Sequence, residues 1–179
     1  MKLSARTDAE LDHIDRHILA LLQEDCRTAY ARIGAQVGLS APAVLERVKK
    51  LEAAGVVTGY HAVLEPRALG LDVTAFIGVI TSTSDVVTQF EQQLLALDDV
   101  LECHHVTGEY TLLLKVKTAN TTSLERLISR IRALSGVIRT ETTVVLSTLA
   151  ERTTLAVGDA EPRPAPHRSR RDGTHARRA

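Results

Sequence analysis

Apolar residues recur every three or four positions in three successive stretches between residues 11 and 53. Residues with that spacing lie on one face of an α-helix, so each stretch predicts an amphipathic helix. In the first stretch, over residues 11–23, Asp12 is placed to cap the helix. The apolar face consists of Leu11, Ile14, Ile18, Leu21 and Leu22. We interpret this helix as the support that completes a three-helix core.

The second and third helices, within residues 28–52, are separated by a predicted tight turn. Thr28 is placed to cap the second helix through its hydroxyl. Gly38 comes next, and a helix commonly ends on a glycine in left-handed geometry. Ser40 can then cap the third helix, with Pro42 tolerated in its first turn. Two short helices joined in this way are typical of a helix-turn-helix DNA reader.

The third helix has an apolar side and a charged side. Val44, Val48 and Leu51 form a stripe that is expected to bury against the other two helices. On the other side, Glu46 can accept from a cytosine amino group and the lysines suit phosphates, while Arg47 on the flank is long enough for a guanine edge. The residues expected to contact DNA are Ser40, Ala41, Pro42, Ala43, Glu46, Arg47, Lys49 and Lys50. A charged outer face after a glycine turn also occurs in ordinary helical hairpins.

The pattern changes twice after the third helix. Between Gly55 and Pro66 it is short and β-branched, which we interpret as an extended segment or wing followed by a linker. From Asp72, strand-like stretches over residues 73–80, 100–107, 110–116 and 137–146 alternate with two helix-like stretches. The order β-α-β-β-α-β predicts a ferredoxin-like sandwich with both helices on one face of an antiparallel sheet. The bare opposite face predicts an oligomer in which another copy covers it.

Capping residues mark the two helices of this second domain. Ser84 is placed to cap the first, whose apolar face carries Val86, Phe90, Leu94 and Leu97. Thr122 and Glu125 form a capping box for the second, and Gly136 is expected to stop it. The chain is therefore expected to be an α+β protein, with an N-terminal helix-turn-helix followed by a ferredoxin-like sandwich. The expected divisions are a DNA-binding domain at 1–58, a linker at 59–71, a ferredoxin-like domain at 72–157 and a tail at 158–179.

Composition and charge limit the function without defining it. A chain of 179 residues fits one larger domain or two small ones. With 3% aromatic residues and no Trp, its packing must rest on Leu, Val, Ile and Ala. Twenty-two cationic residues balance 22 acidic ones, and up to Glu65 the count is 8 against 9. Attraction to DNA must therefore come from local placement of cations and from dimerisation.

Several classes of protein and site find no support in the sequence. No apolar run reaches the roughly 18 residues of a membrane span, and no signal peptide is apparent, so no membrane partner is expected. Two cysteines, Cys26 and Cys103, make no disulfide framework, so the expected location is the cytoplasm. On a strand, Cys103 and His105 face one side and His104 the other, which does not complete a zinc site. The common catalytic motifs are absent, so no enzymatic activity and no cofactor are expected.

The last 22 residues, 158–179, have a different composition from the rest. They contain six arginines and three prolines with almost no large apolar residue, which predicts a disordered basic tail. Two interpretations stay open. In the first, the tail is a basic arm that contacts DNA phosphates. In the second, it is a solubilising extension, because three acidic residues reduce its net positive charge.

Four stretches together resemble the Lrp/AsnC family of leucine-responsive, or feast/famine, transcriptional regulators. They are LDHIDRHIL at 11–19, GLSAPAVLERVKKLEAAGVV at 38–57, GYHAVLEP at 59–66 and ECHHVTGEYTLLLKV at 102–116. The resemblance implies a winged helix-turn-helix joined to a ligand-sensing ferredoxin-like domain. It also implies homo-oligomers, dimers that build tetramers to octamers, in which an amino acid alters the assembly or its affinity for double-stranded DNA.

The same resemblance implies an effector site between neighbouring dimers, around the turn after the second strand of the sensing domain. Here that turn is Gly108, Glu109, Tyr110 and Thr111. Many relatives have an aspartate at the position of Thr111, which leaves Glu109 as the acid for an ammonium group. Thr140 and Thr142 alternate onto one face of the last strand, where they line the same cleft or serve only as good strand formers.

Two functions from different classes remain after these considerations. The first is a sequence-specific transcriptional regulator, in which a dimer reads a palindromic site and a ligand shifts the equilibrium between assemblies. The alternative is a ligand-indifferent architectural protein that organises DNA. The neutral Thr111 keeps the alternative open, because a hydroxyl cannot pair with an ammonium charge.

Overall fold

The computed structural model describes residues 10–82 and 87–158, with the backbone alone described at 87–89. The predicted Ser84 cap, Val86 and the tail from residue 159 lie outside these residues. Contacts divide the described chain into two compact units, residues 10–61 with 152–158 and residues 62–151. Within the described ranges, no helix combines the length and the apolar character that a membrane span requires.

The first unit contains three helices: α1 (His13–Glu24), α2 (Tyr30–Val37) and α3 (Ala41–Ala53). Asp12 caps α1 as predicted, because its carboxylate accepts from the Asp15 N–H at 2.7 Å. The Asp15 carboxylate accepts in return from the Asp12 N–H. The predicted Thr28 cap of α2 is wrong: the capping position is Ala29, which has no acceptor side chain. Thr28 lies one residue too early, where its own N–H donates to a carbonyl of the preceding turn.

The turn between α2 and α3 depends on two glycines. Gly38 ends α2 with a φ of 71°, the left-handed conformation that was predicted. Gly34, which the sequence analysis did not single out, permits the close approach of the two helices. A Cβ added there would stand 2.3 Å from the Leu39 carbonyl oxygen. The turn therefore excludes a side chain at Gly34 because backbone occupies the space.

The core of the first unit confirms the predicted helix faces. Val44 and Val48 on α3 are fully buried together with Ile18 and Ile33, and Leu51 is nearly so. Ser40 caps α3, with its hydroxyl 3.4 Å from the Ala43 nitrogen. Burial of these aliphatic side chains is the main force that holds the three helices together. The charged side of α3 is thereby turned outwards.

The segment in which a wing was predicted contains no paired strand among its described residues. Residues 58–65 form neither helix nor strand, and a short 3₁₀ turn, Pro66–Leu69, follows them. A wing requires a hairpin of two paired strands, and this segment supplies a single run. The alternative interpretation, an extended segment and linker, agrees with the observed chain.

The second unit has the predicted order β1 (Val73–Thr81), α4 (Val87–Leu95), β2 (Val100–His105), β3 (Leu112–Thr118), α5 (Thr121–Arg132) and β4 (Val137–Val144). The strands form one antiparallel sheet in the order β2-β3-β1-β4. Side chains on one face of the sheet are buried with those of both helices. This core is Ala75, Ile77, Val79, Phe90, Leu94, Leu97, Leu112, Leu114, Val116, Leu124, Leu127 and Ile131. The ferredoxin-like prediction is confirmed.

Several element ends differ from the predictions. Asn120, and not Thr122, caps α5, because the Asn120 carboxamide oxygen lies 2.9 Å from the Ser123 nitrogen. The helix ends at Arg132, before Gly136, which adopts a φ of 91° in the connection to β4. Strand β3 begins at Leu112, so Tyr110 and Thr111 belong to the preceding turn.

Candidate DNA interface and ligand cleft

The predicted DNA-contacting residues run from Ser40, the N-cap of α3, to Lys50 within the helix, and they differ in exposure. Pro42, Glu46 and both lysines are exposed, whereas Ala41 and Ala43 are partly covered. Lys49 is 3.1 Å from the Glu46 carboxylate, so these two side chains partly neutralise each other. Within the described residues, Lys50 forms no ion pair. It is therefore the cation of α3 with the least competition for a phosphate.

The Arg47 guanidinium is bound by two carboxylates at the start of α1, that of the N-cap Asp12 and that of Asp15 in the first turn. Its Nη1 lies 2.7 Å from Asp12 Oδ2 and 2.7 Å from Asp15 Oδ1, with 31% of the side chain exposed. This contact, which joins residues 32 and 35 positions apart, was not predicted from the sequence. Any guanine that Arg47 reads must compete with these carboxylates.

The same contacts shift the ionisation of Asp12 and Arg47. The hydrogen bond from the Asp15 N–H and then the one from Arg47 lower the pKa of Asp12. The two carboxylates raise the pKa of Arg47. A lowered carboxyl pKa stabilises the folded state above the unfolded pKa. That stabilisation is lost as the pH falls through the folded value.

Two charged side chains of β4, Arg139 and Glu141, lie next to the turn that was predicted to bind ligand. Gly108 adopts a φ of 109°, and the following Glu109 carboxylate lies 2.7 Å from Arg139 Nη2. The same Arg139 nitrogen is 3.1 Å from Glu141. All three side chains are more than half exposed. A ligand can therefore bind the Glu109 carboxylate only if it displaces the Arg139 guanidinium.

Tyr110 packs its ring over a residue of the sheet. A Cβ added at Gly78 would stand 2.6 Å from the Tyr110 ring, so only glycine admits the ring at that position. Desolvation and a hydrogen bond with Glu141 raise the pKa of the Tyr110 phenol. Gly78, Arg139 and Glu141 were not identified from the sequence. Gly78 carried a usable signal, because an isolated glycine inside a strand often marks a close approach of other atoms. Arg139 and Glu141 carried none, because charged residues are common on exposed strands.

The three predicted threonines are placed differently. Thr111 Oγ1 accepts from the Thr81 N–H at 3.2 Å, and its own N–H donates to Val79. Thr140 is 7% exposed and its hydroxyl accepts from Arg132 Nε at 2.8 Å. Thr140 and Thr142 pair with Val79 and Ile77, whose side chains face the helices. The structure therefore separates them from Glu141, which pairs with Gly78 under Tyr110 on the opposite face.

The cysteine and histidine cluster on β2 is split between the two faces, as predicted. His105 lies 2.7 Å from Glu91 on α4, whereas His104 lies 3.2 Å from Glu102 on the other face. Burial raises the pKa of the Cys103 thiol, which disfavours a reactive thiolate. Throughout the described ranges, no three or more histidine, cysteine or acidic residues are arranged to hold a metal ion.

Comparison with known proteins defines the class to which these features belong. Residues 11–52 match the AsnC-type helix-turn-helix domain and residues 74–155 match the Lrp/AsnC ligand binding domain. Together with the fold, these matches define a DNA-binding transcriptional regulator. The chain is 35% identical to the regulatory protein AsnC of Escherichia coli strain K12 over 80% of its own length and 95% of that protein. The chain belongs to the Lrp/AsnC family.

Two further relatives cover both units. The leucine-responsive regulatory protein of Klebsiella pneumoniae is 34% identical over 85% of this chain and 94% of that protein. The transcriptional regulator NMB0573 of Neisseria meningitidis, solved in complex with L-methionine, superimposes with a TM-score of 0.79 at 30% identity. That superposition covers 83% of this chain and 97% of the solved chain.

Proposed function

We propose that this regulator binds specific DNA sequences as a homo-oligomer whose assembly or DNA affinity responds to an amino acid. The observation that carries the proposal is the family match over both units, at near full length of the relatives. The methionine complex of the Neisseria meningitidis relative supports an amino acid as the class of effector. Relatives named as regulatory proteins support a role without catalysis, and we propose a cytoplasmic location.

DNA binding is proposed to use the outer side of α3 in the major groove. A dimer would set two copies of α3 about one helical turn apart, so its operator would be roughly palindromic. Small residues at the start of α3 let the backbone approach the bases, and Glu46 and Arg47 read base edges. The proposed contact residues are Ser40, Ala41, Pro42, Ala43, Glu46, Arg47, Lys49 and Lys50.

Lys50→Ala is expected to weaken binding to all DNA sequences by a similar factor. Its exposed ammonium group forms no ion pair within the described part of the chain, so it can release a condensed counterion from a phosphate. The slope of log affinity against log salt should become shallower by about 0.9 for each phosphate that the variant no longer neutralises. Binding to operator and random duplexes across a salt series measures both effects.

Two variants control this measurement. Lys50→Arg keeps the charge and should keep the slope. Arg126→Ala removes one positive charge from exposed α5 and should leave DNA binding unchanged. A normal slope for Lys50→Ala would refute the phosphate role.

Oligomerisation is proposed to use the sheet face that the helices leave open. Phe76 is 37% exposed on this face, between its register partners Lys115 on β3 and Thr143 on β4. An aromatic side chain exposed at the centre of a sheet is stabilised when another surface covers it. We propose that a second copy covers it in a dimer, and that dimers assemble further into tetramers to octamers.

The ligand is proposed to bind at the turn Gly108, Glu109, Tyr110 and Thr111. Glu109 can accept an ammonium group if the ligand displaces Arg139, whose guanidinium is then free for the ligand's carboxylate. Such an exchange suits an amino acid, which carries both charges. Thr140 and Thr142 are not assigned to this site, because both pair with residues whose side chains face the helices and the Thr140 hydroxyl accepts from Arg132.

Thr111→Asp is expected to increase affinity for an amino acid by about 10- to 150-fold, since a hydrogen bond to a charged group contributes about 1.5–3 kcal/mol. An aspartate can still accept from the Thr81 N–H, so the turn should survive the change. Calorimetry with each of the common amino acids measures the gain. Thr111→Asn is the neutral control and should gain nothing. Equal affinities for both variants would argue against an ammonium beside residue 111.

The architectural alternative is favoured by one observation. Glu109 is paired with Arg139 and the Thr111 hydroxyl accepts a backbone hydrogen bond, so the turn holds no uncommitted anion among its described side chains. Light scattering of the purified protein with each amino acid, alongside calorimetry, separates the two functions. A ligand that binds and changes the assembly size supports the regulator. An assembly that ignores every amino acid supports the DNA organiser.

A further inference from the structure

After the second unit, the chain returns to the helix-turn-helix unit and is fastened to α1. We call residues 152–158 the C-terminal anchor. Gln23 binds it with both atoms of its carboxamide: Nε2 donates to the Leu155 carbonyl at 3.1 Å, and Oε1 accepts from the Leu155 N–H at 2.7 Å. Arg16 Nη1 donates to the Val157 carbonyl at 2.9 Å. The anchor therefore runs antiparallel to α1, from its last turn towards its first.

The anchor ends close to the ion pair between Asp15 and Arg47, which holds α3 against α1. Arg16 directly follows Asp15, whose carboxylate binds Arg47 of α3. Gly158, the last described residue, lies against Arg16, because a Cβ added there would be 3.3 Å from Arg16 Nη1. The chain thus leaves the described structure at the end of α1 that contacts α3.

The residues beyond Gly158 carry a net positive charge, whereas the rest of the protein carries a net negative one. Residues 159–179 contain six arginines and three acids, a net charge of +3. The other 158 residues contain 16 cationic and 19 acidic residues, a net charge of −3. Duplex DNA carries one negative charge per roughly 1.7 Å of its axis. The body of this regulator is therefore repelled by DNA on net charge, and the tail is attracted.

We propose that the C-terminal anchor roots the arginine-rich tail on α1, and that the tail binds phosphates of the DNA that α3 reads. This inference rests on the proposed DNA binding and adds a second contact to it. The 21 residues after Gly158 can span at most about 70 Å, at roughly 3.3–3.6 Å for each residue. That reach covers about two turns of the duplex, at about 34 Å for each turn. Arginine pairs with phosphate oxygens through a planar fork and reads no base there.

The first test changes the charge of the tail in the full-length protein. All six arginines are replaced by glutamine in one variant and by lysine in another; they are Arg163, Arg168, Arg170, Arg171, Arg177 and Arg178. Affinity for a random duplex of roughly 60 base pairs, about six turns, is measured between about 50 and 200 mM salt. The glutamine variant is expected to bind about tenfold to a hundredfold more weakly at low salt, with a shallower salt slope. The lysine variant should keep most of the affinity.

The second test asks whether the anchor positions the tail. Gln23→Ala removes both hydrogen bonds to Leu155 without changing charge, and Gln93→Ala makes the same replacement on exposed α4 as a control. Gln23→Ala should weaken DNA binding severalfold when the arginines are present and have little effect when they are glutamines. Gln93→Ala should have little effect in both proteins.

The outcomes separate this inference from the proposed function. Identical affinities and salt slopes for the arginine and glutamine tails would overturn the inference and leave DNA binding by α3 standing, with the tail as a solubilising extension. An equal loss from Gln23→Ala in both tail backgrounds would overturn the role of the anchor. A full-length protein that binds no DNA would overturn both the inference and the proposed function.

Discussion

Arg47→Ala is expected to remove most of the preference for the operator over random DNA. A bidentate contact between arginine and guanine contributes about 1–3 kcal/mol of discrimination, or about 5- to 150-fold for each half-site. A dimer carries two copies of Arg47, so the loss is expected at both half-sites. Competition between the operator and random duplexes measures the ratio directly. An equal loss on both DNAs would instead make Arg47 a phosphate contact.

The contact with α1 makes a control for this prediction necessary. Arg47 also holds α3 against Asp12 and Asp15, so its removal can loosen the recognition helix. Asp15→Asn removes one of these charged contacts and leaves the arginine in place. If Arg47 reads a base, Asp15→Asn should keep operator preference, because it frees the guanidinium. If Asp15→Asn reproduces the loss seen with Arg47→Ala, Arg47 acts by positioning α3.

Phe76→Asp is expected to dissociate the oligomer. An unpaired charge buried in an interface costs about 3–5 kcal/mol, and a symmetric dimer buries two such residues. The dimerisation constant should therefore weaken by a thousandfold or more, at roughly 1.4 kcal/mol for each factor of ten. DNA affinity should fall as well, since each monomer then binds one half-site alone. Analytical ultracentrifugation over a concentration series measures the dissociation.

A second exposed position provides the matched control. Leu95 on α4 is 63% exposed, and Leu95→Asp makes the same kind of change away from the open sheet face. Thermal unfolding of both variants establishes that each folds cooperatively. A folded Phe76→Asp protein with the size of the unchanged protein would contradict the proposal that the open face forms the dimer.

The spacing of apolar residues predicts most of this fold, because that spacing indicates which face of each helix or strand is buried. The stripe Val44, Val48 and Leu51 is buried as its spacing indicates, and the four strands come in the predicted order. Helix starts are predicted less well. Asn120 caps α5, and not the predicted Thr122 two positions later. The capping residue depends on local backbone geometry, which the spacing of apolar residues does not determine.

The site is less predictable than the fold, because its contacts join distant parts of the chain. The outward side of α3 follows from its own periodicity. The carboxylates that hold Arg47 lie 32 and 35 residues away, and the Glu109 to Arg139 pair spans 30. Gln23 and Leu155 are 132 residues apart. Single residues of common type carry no signal for such partners in one sequence.

Selection from a pool of random duplexes determines whether the full-length protein recognises a DNA sequence. We expect enrichment of one roughly palindromic site, with half-sites about one helical turn apart. Arg47→Ala should fail to enrich that site while it still binds DNA. Strong binding without enrichment of any sequence would contradict a sequence-specific regulator and favour the DNA organiser.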